Sequence, residues 1–128
     1  ASNEANVTIP IYAFTTMANG QSVSDSVARN QSSFFRIYVP EGMTEMVVTT
    51  TGNADANLFV RYDKQPSTYS YNCRSIVVGS TYETCRITTP LVGDWHIMVA
   101  NNGVTPSNFV VTATYSASTK AATNPGNQ

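Results

Sequence analysis

The feature that most constrains the fold is a regular recurrence of short β-rich segments, each ended by residues that favour turns. Segments rich in Val, Ile, Thr and aromatic residues recur roughly every 8 to 12 residues, a spacing typical of antiparallel sandwiches and barrels. Apolar residues show no helical spacing over any longer stretch, and the chain has only two leucines, so a helical bundle is excluded. The predicted strands cover residues 7–14, 21–27, 34–39, 46–51, 58–62, 82–88, 95–100 and 109–115.

The length and composition predict one domain followed by a short tail. A chain of 128 residues is one domain by length, and its 41% of hydrophobic residues suffices for one core. After Tyr115 the sequence turns to Ser, Ala, Thr, Asn, Pro and Gly, a composition typical of flexible segments. We therefore predict an all-β domain over residues 1–116, an antiparallel β-sandwich of about eight strands. Residues 117–128 are predicted to form a flexible tail or interdomain linker.

Alternation of apolar and polar residues assigns the two faces of each predicted strand. In 34–39, the set Phe35, Ile37 and Val39 is purely apolar, so it is expected to face the core. The same pattern points these side chains inward: Leu58, Val60, Tyr62, Trp95, Ile97, Val99, Phe109, Val111 and Ala113. It points these side chains outward: Phe34, Tyr38, Phe59, His96 and Met98. Large outward rings are unusual on a solvated face, so they mark a candidate binding surface.

The charge balance excludes two classes of partner. The chain has 7 basic and 8 acidic residues, and only 12% of its residues are charged, against about a quarter in ordinary domains. Nucleic acids and anionic membranes are bound by clustered Lys and Arg, so neither is expected as a partner. No apolar run approaches the ~20 residues of a membrane span, and no signal peptide opens the sequence, which predicts a mature or excised piece. Few charges, many hydroxyls and two cysteines favour a secreted, extracellular protein.

The two cysteines are candidates for a disulfide. Cys73 and Cys85 lie twelve positions apart, separated by a polar stretch that contains a glycine. A hairpin of this length can bring the two Cα atoms within disulfide reach. Two free thiols are the alternative that the spacing leaves open. A zinc site is not expected, because it requires more ligands than two cysteines and one distant histidine.

No catalytic motif is recognisable in the sequence. The single histidine, His96, lies on a predicted strand, and no Gly-x-Ser-x-Gly motif is present to supply a nucleophilic serine. The acidic residues fall mostly in predicted turns, where carboxylates usually accept hydrogen bonds from backbone amides. No glycine-rich phosphate loop occurs either. The sequence therefore predicts a protein that is not an enzyme.

Two polar clusters, residues 3–6 and 52–57, are candidates for a calcium site. Each brings carboxylate and amide oxygens close together in sequence, as a hard cation requires, and the candidate ligands are Glu4, Asn6 and Asp55. Neither cluster matches the twelve-residue loop of an EF-hand. Tight turns use the same residue types for local hydrogen bonds, and this alternative remains open.

Five sequence blocks resemble a known family in their order. They are Gly-Asn-Ala-Asp-Ala-Asn-Leu-Phe-Val-Arg at 52–61, Gln-Pro at 65–66, Tyr-Asn-Cys-Arg at 71–74, Glu-Thr-Cys at 83–85 and Pro-Leu-Val-Gly-Asp-Trp at 90–95. Together with Phe35-x-Ile-x-Val-Pro-x-Gly42, they resemble the bacterial pre-peptidase C-terminal (PPC) domain over roughly residues 20–116. The chain departs from the family at Asn57 and Asn72, where Asp is usual, and at His96, where an aromatic residue is usual.

The resemblance implies a fold and a context. PPC domains are jelly-roll-like, non-catalytic β-sandwiches at the C-terminal end of secreted bacterial hydrolases, most often metallo- or serine peptidases. They are often removed after secretion. The family also implies the Cys73–Cys85 bridge. Relatives in clostridial collagenases bind collagen through surface aromatics and hold calcium at an N-terminal linker, which residues 4–6 loosely resemble.

Two functions from different classes follow from these observations. The first is a binding module that holds a parent catalytic domain, in the same polypeptide, on an insoluble protein or polysaccharide such as collagen. Aromatic rings suit that role, because they stack on sugar faces or Pro-rich chains at small entropic cost. The predicted polymer-binding residues are Tyr69, Tyr71, Phe34, Tyr38 and Phe59, with Tyr69 and Tyr71 on one side of an extended segment. The second function is an element that assists export or maturation and is then cleaved off; a free-standing adhesin or inhibitor is a third. A monomer is expected.

Overall fold

The computed structural model describes residues 11–118, which form nine strands. The strands are β1 (Thr15–Met17), β2 (Ser22–Val27), β3 (Ser32–Val39), β4 (Glu45–Gly52), β5 (Ala56–Tyr62), β6 (Cys73–Ser75), β7 (Glu83–Thr88), β8 (Gly93–Asn101) and β9 (Ser107–Ser116). Within this part of the chain no helix is long and apolar enough to cross a membrane. The predicted all-β class is confirmed.

The strands form two sheets that pack face to face. One sheet has five strands in the order β1-β3-β8-β5-β6, and the other has four in the order β2-β9-β4-β7. Every pairing is antiparallel except that of β1 with β3, which is parallel. Neighbours in each sheet are mostly distant in sequence, as in a sandwich in which the chain crosses repeatedly between layers.

The core lies between the sheets and is built from the alternate residues that the sequence pattern selects. Phe35 of the five-stranded sheet meets Phe109 of the four-stranded sheet edge to face, with ring centroids 6.0 Å apart. Trp95 is buried against Tyr62, at 5.1 Å between ring centroids, and its Nε1 donates to the Leu91 carbonyl at 2.9 Å. The inward assignments made for strands β3, β5, β8 and β9 are therefore confirmed.

A disulfide joins the two sheets at one edge of the sandwich. Cys73 lies on β6, the last strand of the five-stranded sheet, and Cys85 lies on β7, the last strand of the other. Their Cα atoms are 5.9 Å apart, and the described residues contain no free cysteine. The predicted bridge is confirmed, whereas the hairpin is not, because β6 and β7 belong to different sheets.

The structure corrects two predictions about the strands. The first strand begins at Thr15, whereas residues 11–14 of the predicted segment 7–14 form no strand and the rest of it lies outside the described residues. The short strand β6 was not predicted, and with it the count becomes nine. The last strand ends at Ser116. The predicted tail begins there, and because most of it lies outside the described residues, that boundary stays a prediction.

Candidate binding face

The candidate site is the side of the five-stranded sheet that points away from the core, here called the outer face. Two rows of side chains cross its three central strands. In one row Phe34 of β3 pairs with Met98 of β8, which pairs with Phe59 of β5. In the next row the paired residues are Arg36, His96 and Arg61. Alternation along the strands places these side chains opposite the core residues, as the sequence predicts.

Phe59 is not an exposed ring, and the prediction that it is available to a polymer is wrong. Its side chain is only 2% exposed, and it forms a second small core with Met98 and Ala100. The ring of Tyr71 covers it at a centroid distance of 5.8 Å, and the Arg74 guanidinium lies 5.2 Å from the Tyr71 ring. Phe59 therefore packs the β5–β6 loop, residues 63–72, onto the outer face.

Phe34 is also partly covered, in this case by Tyr12. The two rings stack nearly parallel, with centroids 4.8 Å apart and an angle of 8° between the planes. Gln65 holds Tyr12 in place: its Oε1 accepts from the Tyr12 amide at 2.9 Å, and its Nε2 donates to the Tyr12 carbonyl at 2.8 Å. Tyr12 is a site residue that the sequence reasoning missed, since its position depends on a contact 53 residues away.

Three tyrosines remain open to solvent on or beside the outer face. Tyr69 is 95% exposed, Tyr12 57% and Tyr38 56%. Tyr69 and Tyr71 do not form the predicted pair of rings on one side, because reciprocal backbone hydrogen bonds between Ser67 and Ser70 close a turn there. As a result Tyr69 stands free, whereas Tyr71 packs on Phe59.

His96 occupies the middle of the outer face without a catalytic partner. Phe14 packs edge-on against its ring at 5.9 Å, and Arg36 lies 4.8 Å above the Phe14 ring. Burial lowers the pKa of His96, Arg36 lowers it further, and the carboxylates of Asp94 and Asp63 partly oppose the shift. Within residues 11–118, His96 makes no hydrogen bond to a serine or a carboxylate, and its Nδ1 is buried without a partner. The arrangement favours the neutral form of the imidazole, and among the described residues it brings no serine or carboxylate into hydrogen-bonding contact with the ring.

Glu83 is a buried carboxylate that the sequence reasoning did not single out. It lies on β7 beside the disulfide, where Ser75 Oγ donates to it and the Val77 amide donates at 3.1 Å. Burial raises the pKa of Glu83, the two hydrogen bonds lower it, and the charge of Asp55 raises it. These contacts tie the β6–β7 loop to the sandwich, so the role of Glu83 is structural.

Of the three candidate calcium ligands, only Asp55 is among the residues that the structure describes. Glu4 and Asn6 lie outside the described residues. Asp55 Oδ1 is buried without a hydrogen-bond partner, which suits a cation ligand, but the part of the chain described holds no cluster of three His, Cys, Asp or Glu residues. A calcium site built from Glu4, Asn6 and Asp55 therefore stays a prediction, which thermal melting with and without a chelator tests.

Comparisons with known proteins identify relatives. A family model described as bacterial pre-peptidase C-terminal domain matches residues 31–101. Alkaline serine exoprotease A of Vibrio alginolyticus is 27% identical over 84 residues, which are 65% of this chain and 16% of that protein. Xanthomonalisin of Xanthomonas sp. (strain T-22) is 38% identical over 45 residues, which are 35% of this chain and 5% of that protein. The chain thus spans a small part of the curated relatives that it matches.

Among solved structures, the pre-peptidase C-terminal domain of collagenase from Bacillus anthracis has a similar fold. The TM-score is 0.65, and the match covers 83% of this chain and 99% of that domain. The sequence identity is 6%, so this similarity concerns the fold alone.

Proposed function

Since the chain belongs to the bacterial pre-peptidase C-terminal domain family, we propose that it is a non-catalytic accessory domain that holds a secreted peptidase on an insoluble polymer. The catalytic domain is expected in the same polypeptide. The name of the Vibrio relative, an exoprotease of which the match covers 16%, supports this arrangement. The disulfide and the low charge content support an extracellular setting.

The observation that carries the proposal is the set of tyrosines on the outer face. Tyr12, Tyr38 and Tyr69 are more than half exposed, although burying them would have contributed to stability. Rings held at the surface by a rigid sheet lose little entropy on contact, and their faces can stack on sugar rings or on apolar side chains of a fibrous protein. Phe59 and Tyr71 pack against each other beneath this surface, so in the proposal they do not contact the polymer.

Sedimentation with insoluble polymers tests the proposal. The purified 128-residue chain is mixed with fibrillar collagen, chitin or cellulose, and each pellet and supernatant is quantified at several ionic strengths. We expect depletion of the chain from the supernatant by at least one polymer, with little dependence on salt because the exposed rings are uncharged. A second globular protein of similar size, run in parallel, controls for trapping in the pellet.

An element that assists export or maturation and is then cleaved off is the competing function. It requires no affinity for any polymer, so absence of the chain from all three pellets favours it over targeting. In that case, deleting the domain from the parent gene is expected to reduce the amount of enzyme secreted, while the specific activity of the enzyme that does appear is unchanged.

A further inference from the structure

A pocket of about 320 Å³ opens on the outer face between Tyr12, the β2–β3 turn and the β5–β6 loop. Its volume is at the lower end of the range of small-molecule sites, which is roughly 300–1,000 Å³. Tyr12, Phe34, Pro66 and Met98 form its apolar wall. Binding of a polymer to exposed tyrosine rings does not require a cavity, so the proposed function gives this pocket no role.

The other side chains that line the pocket are polar and uncharged. They are Asn30, Gln31, Ser32 and Thr68, and no charged residue of the described part of the chain lines the pocket. None of these four side chains has a hydrogen-bond partner within residues 11–118, so their amide and hydroxyl groups are available to a ligand. Each of them can both donate and accept.

Hydrogen bonds hold the segments that line the pocket in position. Gln65 fixes Tyr12 by two bonds, and Arg61 Nη1 donates to the Gln65 carbonyl at 3.4 Å. The Ser67–Ser70 turn closes the loop on one side, and the Asn30 amide donates to the Asn101 carbonyl at 2.9 Å on the other. A pocket with fixed walls loses little entropy when a ligand enters, so weak contacts suffice for measurable affinity.

We propose that this pocket binds one uncharged sugar ring of a polysaccharide. A pyranose has an apolar face that can stack on the exposed ring of Tyr12, and a rim of hydroxyls that both donate and accept. The Asn30 and Gln31 amides match such hydroxyls. This inference rests on the proposed function, since it names the class of polymer that the outer face takes.

The lining groups disfavour other ligand classes. Anionic ligands are usually held by Arg or Lys, and no Arg or Lys within residues 11–118 lines the pocket. An extended peptide is usually held by main-chain hydrogen bonds along a free strand edge. In this pocket, free amide and hydroxyl groups are supplied by the side chains of Asn30, Gln31, Ser32 and Thr68.

Titration of the ¹⁵N-labelled chain with cellohexaose and with chitohexaose, followed by NMR, tests the inference. We expect saturable shifts of the backbone amides of residues 30–32 and 67–68 with at least one of them, while amides of the four-stranded sheet stay unchanged. Tyr12→Ala is expected to weaken binding about tenfold, because it removes the stacking ring. Gln31→Ala is expected to weaken it severalfold through the loss of one hydrogen-bonding side chain.

Tyr82→Ala is the matched control, because Tyr82 is an exposed ring that does not line the pocket and directly precedes β7 of the four-stranded sheet. It should leave the affinity for the oligosaccharide unchanged. The strand amides of every variant report whether the fold is intact, and Gln31, which is exposed, provides a second variant if Tyr12→Ala disturbs its segment.

The outcomes separate this inference from the proposed function. The inference is overturned if neither oligosaccharide shifts the pocket amides, or if a collagen-like triple-helical peptide shifts them instead. Retention on chitin or cellulose without shifts of the pocket amides would support polymer targeting and refute sugar binding in the pocket. Shifts of the pocket amides without retention on any insoluble polymer would support sugar binding in the pocket and refute targeting.

Discussion

Glu83 is the most deeply buried carboxylate among the described residues, and its surroundings show what a charged group needs inside a small sandwich. Only 2% of its surface is exposed, and besides this burial its pKa is affected by the Ser75 hydroxyl, the Val77 backbone amide and the Asp55 carboxylate. Two of them donate hydrogen bonds that favour the ionised form, whereas burial and Asp55 favour the protonated form, and burial is the largest influence. The folded protein therefore holds the Glu83 proton more tightly than the unfolded chain does.

The first prediction follows from that raised pKa. The stability that protonated Glu83 contributes is fully present when the pH is below 4.5, the usual pKa of a glutamate. It is lost as the pH rises through the higher pKa of Glu83 in the folded protein. Glu83→Gln should remove this loss, so that the free energy of unfolding falls less between about pH 4 and about pH 8 in the variant than in the parent. Urea unfolding curves at several pH values measure the difference.

Glu41→Gln is the matched control for this measurement, because Glu41 is an exposed carboxylate in the turn between β3 and β4. It removes one negative charge without touching the interior. If Glu83→Gln leaves the pH dependence of unfolding as steep as in the parent, Glu83 is ionised in the fold across this range.

At the scale of single residues, the sequence predicts which side of the sheet a side chain is on, but it does not predict how exposed that side chain is to solvent. Alternation correctly places Phe59 and Met98 on the face opposite the core. It cannot predict that they are buried there, because the cover comes from Tyr71 in a loop whose path depends on tertiary contacts. The same limit applies to Tyr12, which is held by Gln65 from a distant part of the chain.

At the scale of elements, the disulfide reinforces one weak edge strand, β6. β6 has three residues and pairs with β5 at three positions, so few backbone hydrogen bonds hold it. The bridge to Cys85 ties this strand to the neighbouring edge of the other sheet. Because β5 and β6 flank the 63–72 loop, the bridge also limits the movement of the loop that carries Tyr69.

The second prediction concerns this bridge. Chain purified without reductant should have the mass of the oxidised form. The Cys73→Ser, Cys85→Ser double variant should be less stable by roughly 3 kcal/mol, because its unfolded chain regains the conformational entropy that the bridge removes. For a domain of this size, the melting temperature should fall by roughly 10 °C. Parent protein treated with reductant should melt at the temperature of the double variant. A mass that corresponds to two free thiols would contradict the prediction.

Strand positions are predictable where the β-rich pattern is long, and less so elsewhere. Strands β2 to β5 and β7 to β9 match predicted segments closely, because each combines alternation with turn residues at its ends. β1 and β6 have three residues each and no local pattern of their own. Their strand conformation comes from pairing with β3 and β5, which the sequence alone does not indicate.

At the scale of the whole molecule, the two outer surfaces of the sandwich differ in chemistry. The four-stranded sheet presents a row of hydroxyl side chains in register, Ser22, Thr112, Thr49 and Thr84. The five-stranded sheet presents rings and arginines, with the β5–β6 loop folded onto it. This asymmetry supplies an internal control, because matched substitutions can be made on either surface of the same folded domain.

The last prediction uses that control to locate polymer binding. Tyr38→Ala with Tyr69→Ala removes two exposed rings of the outer face and leaves Tyr71 in place, because Tyr71 packs on Phe59 and its loss would disturb the fold. If each ring contributes about 1 kcal/mol, retention on the polymer should fall about tenfold or more. The melting temperature should stay within a few degrees of the parent, since both side chains are exposed. Thr84→Ala with Thr114→Ala, on the opposite surface, should keep full retention. Loss of binding in the threonine variant instead would place the polymer on the four-stranded sheet, where hydroxyls rather than rings would make the contact.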